Sequence, residues 1–79
     1  MVIVRYFAAA RAKARCAEEK IDAGTVGELV AAVTRDHEMD SLLTACSLLI
    51  DGVAAKIDEP DRVLVDGTTV DVLPPFAGG

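Results

Sequence analysis

Tryptophan is absent, and the 79-residue chain holds one tyrosine and two phenylalanines. A core built on aromatic rings is therefore excluded. With 52% hydrophobic residues and only 4% aromatic ones, the aliphatic side chains must make it. Histidine occurs once, and the two cysteines, Cys16 and Cys46, form no CxxC pair. No zinc set can be assembled from so few ligands. The opening MVIVRYF has four apolar residues before Arg5, too few for a secretory leader. No run approaches the ~20 apolar residues of a membrane span. Without a secretory signal a disulfide is not the expected state, and the expected location is the cytoplasm, away from any membrane. Basic residues are also scarce: eight against thirteen acidic ones, for a net charge of -5. Such a chain repels phosphate backbones, so nucleic acid is not an expected partner. A partner with a basic surface is.

The charge is unevenly placed. Residues 1–20 hold five basic and two acidic side chains, whereas residues 21–79 hold three and eleven. The length suits one small domain, which buries only roughly 60% of its unfolded surface. VIVRYF is β-branched and aromatic and predicts a strand over Val2–Phe7. AAARAKAR has no helix breaker and predicts a short helix near Ala8–Arg15. AEEKID predicts a returning strand before Gly24.

Thr25 and Glu28 form a capping box ahead of Val26, Leu29, Val30 and Val33, one apolar stripe at helical spacing. That helix should end about Asp36, with a weaker helical stretch over Met39–Ala45. SLLI and VAAKI predict strands around the turn dipeptide Asp51-Gly52, and VLV leads to a second turn at Asp66-Gly67. TTVDVL is the last strand, with Val70 and Val72 on one face and Thr69, Asp71 and Leu73 on the other. Pro74 ends it, because proline cannot donate to the ladder. One helical stripe is naturally buried across one face of a mixed sheet. The first and last strands are expected to lie parallel in its middle.

The chain closes on LPPFAGG. Two prolines stiffen the approach to two residues without side chains. Joined to the strand–strand–helix–strand order, this ending resembles the ubiquitin-like β-grasp sulfur carriers, and most of all the small subunit of molybdopterin synthase (the MoaD type of the MoaD/ThiS family). Leu73, Pro74, Pro75, Ala77, Gly78 and Gly79 fit that family's LPP-V-AGG ending, with Phe76 as a larger apolar variant. Phe7-Ala8 and Arg11 fit its Phe-Ala-x-x-Arg signature. Where the family often has an acidic residue and then a glycine, this chain has Ala12, Lys13 and Ala14.

The resemblance implies an α+β, ubiquitin-like β-grasp of about four to five strands over residues 1–73, with one main helix packed across the sheet. A flexible tail over residues 74–79 would follow. It implies a carrier without a self-contained active site. A ubiquitin-activating-like adenylyltransferase would use ATP to adenylate the Gly79 carboxylate, and a sulfur donor would convert it to a thiocarboxylate. The chain itself would bind no cofactor. The sulfur would pass to the large subunit of molybdopterin synthase, in a heterotetramer of two small and two large subunits, to build the dithiolene of molybdopterin. Rival readings are a carrier for thiamine or cysteine synthesis, a protein modifier joined through Gly79, and a binding module with an inert tail.

The resemblance gives Pro74, Pro75, Phe76, Ala77 and Gly78 the passage of the tail, and Phe7, Arg11 and Phe76 the docking of a partner. Read from the residues alone, Phe7 fits the core somewhat better than an exposed sheet face, and Arg11 fits a solvated position. Cys46 reads as a small buried hydrophobe and Cys16 as a bystander at a helix–strand junction. His37 reads as a cap or surface residue near a helix end. Asp58, Glu59 and Asp61 read as a solvated turn.

Overall fold

Alternation along the first extended run decides which way the sheet faces. In the computed structural model, which describes residues 1–55 and 57–75, β1 (Val2–Tyr6) buries Val2, Val4 and Tyr6 and turns Ile3 and Arg5 to the other side. The strand stops one residue short of the expected Phe7. The Phe7 carbonyl already accepts the Ala10 and Arg11 amides of the next element. That element, α1 (Ala8–Ala14), starts without a side-chain cap, buries Ala10 and Ala14, and closes on Arg15 in the left-handed region at φ 62°. β2 (Glu18–Ile21) returns antiparallel to β1, with Glu18 opposite Arg5 and Ile21 opposite Val2.

The capping box forms as expected. The Glu28 amide donates to Thr25 Oγ1 at 3.2 Å, and Glu28 Oε1 accepts the Gly24 amide at 3.0 Å. The first bond satisfies a donor that the first helical turn leaves free, and the second ties down Gly24, the residue before the N-cap, rather than the N-cap amide itself. α2 (Val26–His37) then buries Val26, Leu29, Ala32 and Val33, with Val30 half-buried beside them. The weak helical stretch becomes one turn, α3 (Asp40–Leu43).

β3 (Ser47–Ile50) and β4 (Val53–Ala55) form a hairpin whose two loop residues, Asp51 and Gly52, both have positive φ. That is the type I′ turn that matches strand twist. Val63–Val65 adds no strand. Val63 makes a single bridge to Thr25, and the Leu64 amide bonds the Gly24 carbonyl. The segment thus pairs with the approach to α2 and leaves Val63 and Val65 exposed.

β5 (Thr69–Leu73) lies parallel to β1 and antiparallel to β3, giving the order β2-β1-β5-β3-β4. The terminal strands are central neighbours, as expected, and the architecture is the mixed-sheet β-grasp. Core-facing residues of β1, β3 and β5 join Leu29 and Val33 of α2 and Met39 and Leu43 beyond it in one apolar cluster. The helices thus fill one side of the sheet. The other side carries Ile3, Arg5, Leu49, Asp71 and Leu73. Among the described residues no helix is long and apolar enough to cross a membrane.

Candidate functional site at the root of the C-terminal tail

Because β1 and β5 run parallel, their C-terminal ends emerge side by side. Tyr6 pairs with Val72, and the Phe7 amide donates to the Val72 carbonyl at 3.3 Å. Phe7 therefore stands level with Leu73, where the chain leaves the sheet. Leu73 is half-buried, Pro74 buried and Pro75 exposed. The ladder ends here because neither proline has an N–H to give. The remaining expected tail residues, Phe76, Ala77, Gly78 and Gly79, lie outside the described residues.

Phe7 is 37% exposed. This corrects the core reading made from the residues alone. Position 7 continues the Ile3–Arg5 side of β1, and no helix among the described residues covers that side. Arg11 is exposed on α1, and it lines a groove with Arg5, Phe7 and Glu18. The structure therefore brings Phe7, Arg11, Pro74 and Pro75 to one end of the sheet.

Two features of this end escaped the sequence reading. The first is an ion pair across the central strands. Arg5 Nε donates to Asp71 Oδ1 at 2.6 Å and Arg5 Nη2 to Asp71 Oδ2 at 2.8 Å. Asp71 is thereby nearly covered, its side chain 10% exposed, while Arg5 remains 48% exposed. Hydrogen bonding and then the charge of Asp71 raise the Arg5 pKa further above its already high value. The Arg5 guanidinium carbon also lies 5.8 Å from the Phe7 ring centroid, in cation–π range. The parallel register that sets Val4 beside Val70 necessarily sets Arg5 beside Asp71. The signal was present once the two strands were paired.

The second feature is a polar cluster on the helix side. Glu19 Oε2 accepts from the Tyr6 hydroxyl and lies 2.5 Å from His37 Nε2. Since a carboxylate only accepts, His37 carries its proton on Nε2. The Tyr6 and His37 rings meet edge to face, their centroids 5.6 Å apart. His37 is thus a packed link between α2 and the sheet, not the cap or surface residue expected. Burial first, then the bond to Glu19 and its charge, push the Tyr6 hydroxyl far above its ordinary pKa. It stays protonated as a donor.

The cysteines are free and half-buried. Burial raises both thiol pKa values, with the charge of Glu19 adding to the effect at Cys16. Cys46 Sγ donates to the Leu42 carbonyl. Asp58, Glu59 and Asp61 lie exposed in their loop. Among the described residues no group of three or more His, Cys, Asp and Glu side chains could hold a metal ion.

The chain as a whole has counterparts among known proteins. The ThiS family pattern matches residues 4–79. This chain belongs to the ThiS family. The family's members are ubiquitin-like sulfur carriers.

This ThiS-family chain also superposes on solved structures. SAMP1 from Haloferax volcanii matches at a TM-score of 0.84 and 21% identity, over 99% of this chain and 98% of that one. A Pyrococcus furiosus protein assigned as molybdopterin converting factor subunit 1 matches at 0.81 and 26%, over 95% and 97%. A chain of the complex of subunits 1 and 2 of molybdopterin-converting factor from Helicobacter pylori matches at 0.75 and 24%, over 99% and 97%. No curated protein matches.

Proposed function

We propose that this ThiS-family chain carries sulfur on Gly79 to the large subunit of molybdopterin synthase. The observation that carries the reading is the root of the tail. The central strand β5 runs straight into Pro74-Pro75 beside exposed Phe7, and residues 73–79 read LPPFAGG. The Pyrococcus and Helicobacter likenesses to molybdopterin-converting factor subunits support the choice of partner.

The chemistry starts at an unreactive group. The Gly79 carboxylate oxygen attacks the α-phosphorus of ATP on an activating enzyme and expels pyrophosphate. A donor delivering a hydrosulfide equivalent then displaces AMP, leaving a thiocarboxylate. The chain's part is delivery. Pro74 and Pro75 bias the arm toward extended geometry, so less entropy is lost when it threads a narrow channel. Gly78 and Gly79 place no Cβ beside the reacting carbon. Phe7 and Phe76 give the partner apolar anchors.

Deleting Gly79 tests this. The shortened chain still ends in a glycine carboxylate, but about 3.3–3.6 Å short. Misplacement by ~1 Å already costs on the order of a hundredfold in rate. With ATP, activating enzyme and sulfur donor, the intact chain should gain the mass of oxygen-to-sulfur exchange and the deleted chain should not. Their thermal midpoints should agree, because an exposed terminus contributes little. Full sulfur transfer by the deleted chain refutes the reading. Isopeptide links from Gly79 to target lysines would assign a protein modifier instead.

A further inference from the structure

The positive charge of this acidic chain is gathered on one surface. α1 carries Arg11 and Lys13 and closes on Arg15, with no acidic residue from Ala8 to Arg15. Arg11 lines the groove at Phe7 and also an adjoining groove that continues to Arg15. Neither Arg11 nor Arg15 is in an ion pair among the described residues. Arg5 stands at the other end of the first groove. Asp71 takes two of its five N–H groups, and the half-exposed side chain leaves the rest for an incoming acceptor. Arg5, Phe7, Arg11 and Arg15 thus form a stripe that begins at the root of the tail, with Glu18 the acidic side chain lining its first groove.

Helix geometry explains only part of it. Cations near a helix C-terminus are favoured by the backbone dipole, which accounts for Lys13 and Arg15. It does not account for Arg5, which lies on β1. At position 15 it favours a cation, although the backbone there is left-handed, as it also is at Glu38 at the end of α2. Arg15 has φ 62°, a conformation that glycine adopts without steric cost and arginine does not. The chain holds an arginine where its backbone favours glycine.

We propose that this arginine stripe docks an acidic surface of the catalytic partner, a cluster of carboxylates beside an apolar slot that receives Phe7. The inference rests on the carrier reading above and adds the chemistry of its partner's surface. Arg5 and Arg15 are the specificity contacts. Asp71 is a positioning residue: its two bonds hold the Arg5 fork in place and lower the charge that docking must desolvate. The overall charge of -5 does not oppose this. Charges beyond a Debye length of about 8 Å are largely screened, so the partner meets the stripe and the carboxylates that border it, Glu18 beside Arg5 and Asp36 and Glu38 beside Arg15, and not the rest of the acidic surface. This acidic surface differs from the basic one expected from composition.

Calorimetric titration of the full chain with the molybdopterin synthase large subunit of the same genome, at low and at physiological salt, is the test. Arg15→Glu and Arg5→Gln should each weaken binding about tenfold or more at low salt, with a smaller loss at higher salt. Arg15→Gly should weaken binding while its thermal midpoint stays equal or rises, a split that a purely structural arginine would not produce. Arg62→Glu makes the same charge change beside the start of α2, at the opposite end of the sheet, and should leave binding unchanged. Wild-type affinity in both Arg15 variants overturns the stripe, as does an equal loss in Arg62→Glu. A wild-type chain that fails to bind the large subunit overturns the carrier reading beneath it. Retention by RNA that the large subunit cannot displace makes the stripe a nucleic-acid site and also overturns the proposal.

Discussion

Glu19→Ala tests the polar cluster that ties the sheet to α2. One oxygen of Glu19 serves both the Tyr6 hydroxyl and His37 Nε2. Tyr6 is 2% exposed, so water cannot replace the lost acceptor there. The His37 side chain is 15% exposed and reaches water in part. A buried donor left unsatisfied costs about 1–3 kcal/mol. The full figure for Tyr6 and a reduced one for His37 put Glu19→Ala at about 2–4 kcal/mol. Tyr6→Phe removes a donor instead. Glu19 then keeps His37 and some water, so the loss should be only about 0.5–1.5 kcal/mol. Domains of this size have total stability on the order of 4–12 kcal/mol, so the first change removes a large share. Its thermal midpoint should fall by about 10–25 °C, against about 3–10 °C for Tyr6→Phe. Urea unfolding followed by circular dichroism gives both free energies, with equal slopes as the check on two-state behaviour. Equal losses in the two variants would refute the argument, because only the asymmetry separates a stranded donor from a deleted one.

Three further outcomes follow from packing and burial. Leu29→Ala should lower stability by about 2–5 kcal/mol in the same urea assay, since Leu29 is 2% exposed; a loss well under 1 kcal/mol would undo the helix-face assignment. Gly27→Ala should destabilise by about 1–3 kcal/mol despite alanine's better helix propensity, because a Cβ there would stand 3.0 Å from Pro60 Cβ and 3.1 Å from its carbonyl oxygen. A stability gain in that variant would mean the Pro60 loop yields freely. Cys16 and Cys46 should react slowly with a disulfide reagent at neutral pH and quickly once the chain is unfolded, because their raised pKa values keep them as thiols in the fold. Equal rates in the two states would show that burial does not protect them.

Local chemistry carried much of the architecture. The capping box at Thr25–Glu28, the Leu29–Val33 stripe, the Asp51-Gly52 turn and the alternation of Val70 and Val72 are patterns complete within a few residues. Each appears in the structure where the sequence puts it. The ending LPPFAGG is likewise a property of order along the chain, and it resembles the ending of the sulfur-carrier family without any help from tertiary structure. What a side chain faces is a different kind of fact. Phe7 looked like core because hydrophobicity alone does not say which side of a sheet the helices will cover. Arg5 and Asp71, 66 positions apart, meet only because β1 and β5 become parallel neighbours. Glu19 and His37, 18 positions apart, meet only because α2 ends over the β2 edge. The sequence by itself determined the elements, their order and the tail, since backbone preferences act over short range. The tertiary structure alone decided which sheet face stays open and which charges gather beside the tail, since those depend on packing between segments that no local pattern connects.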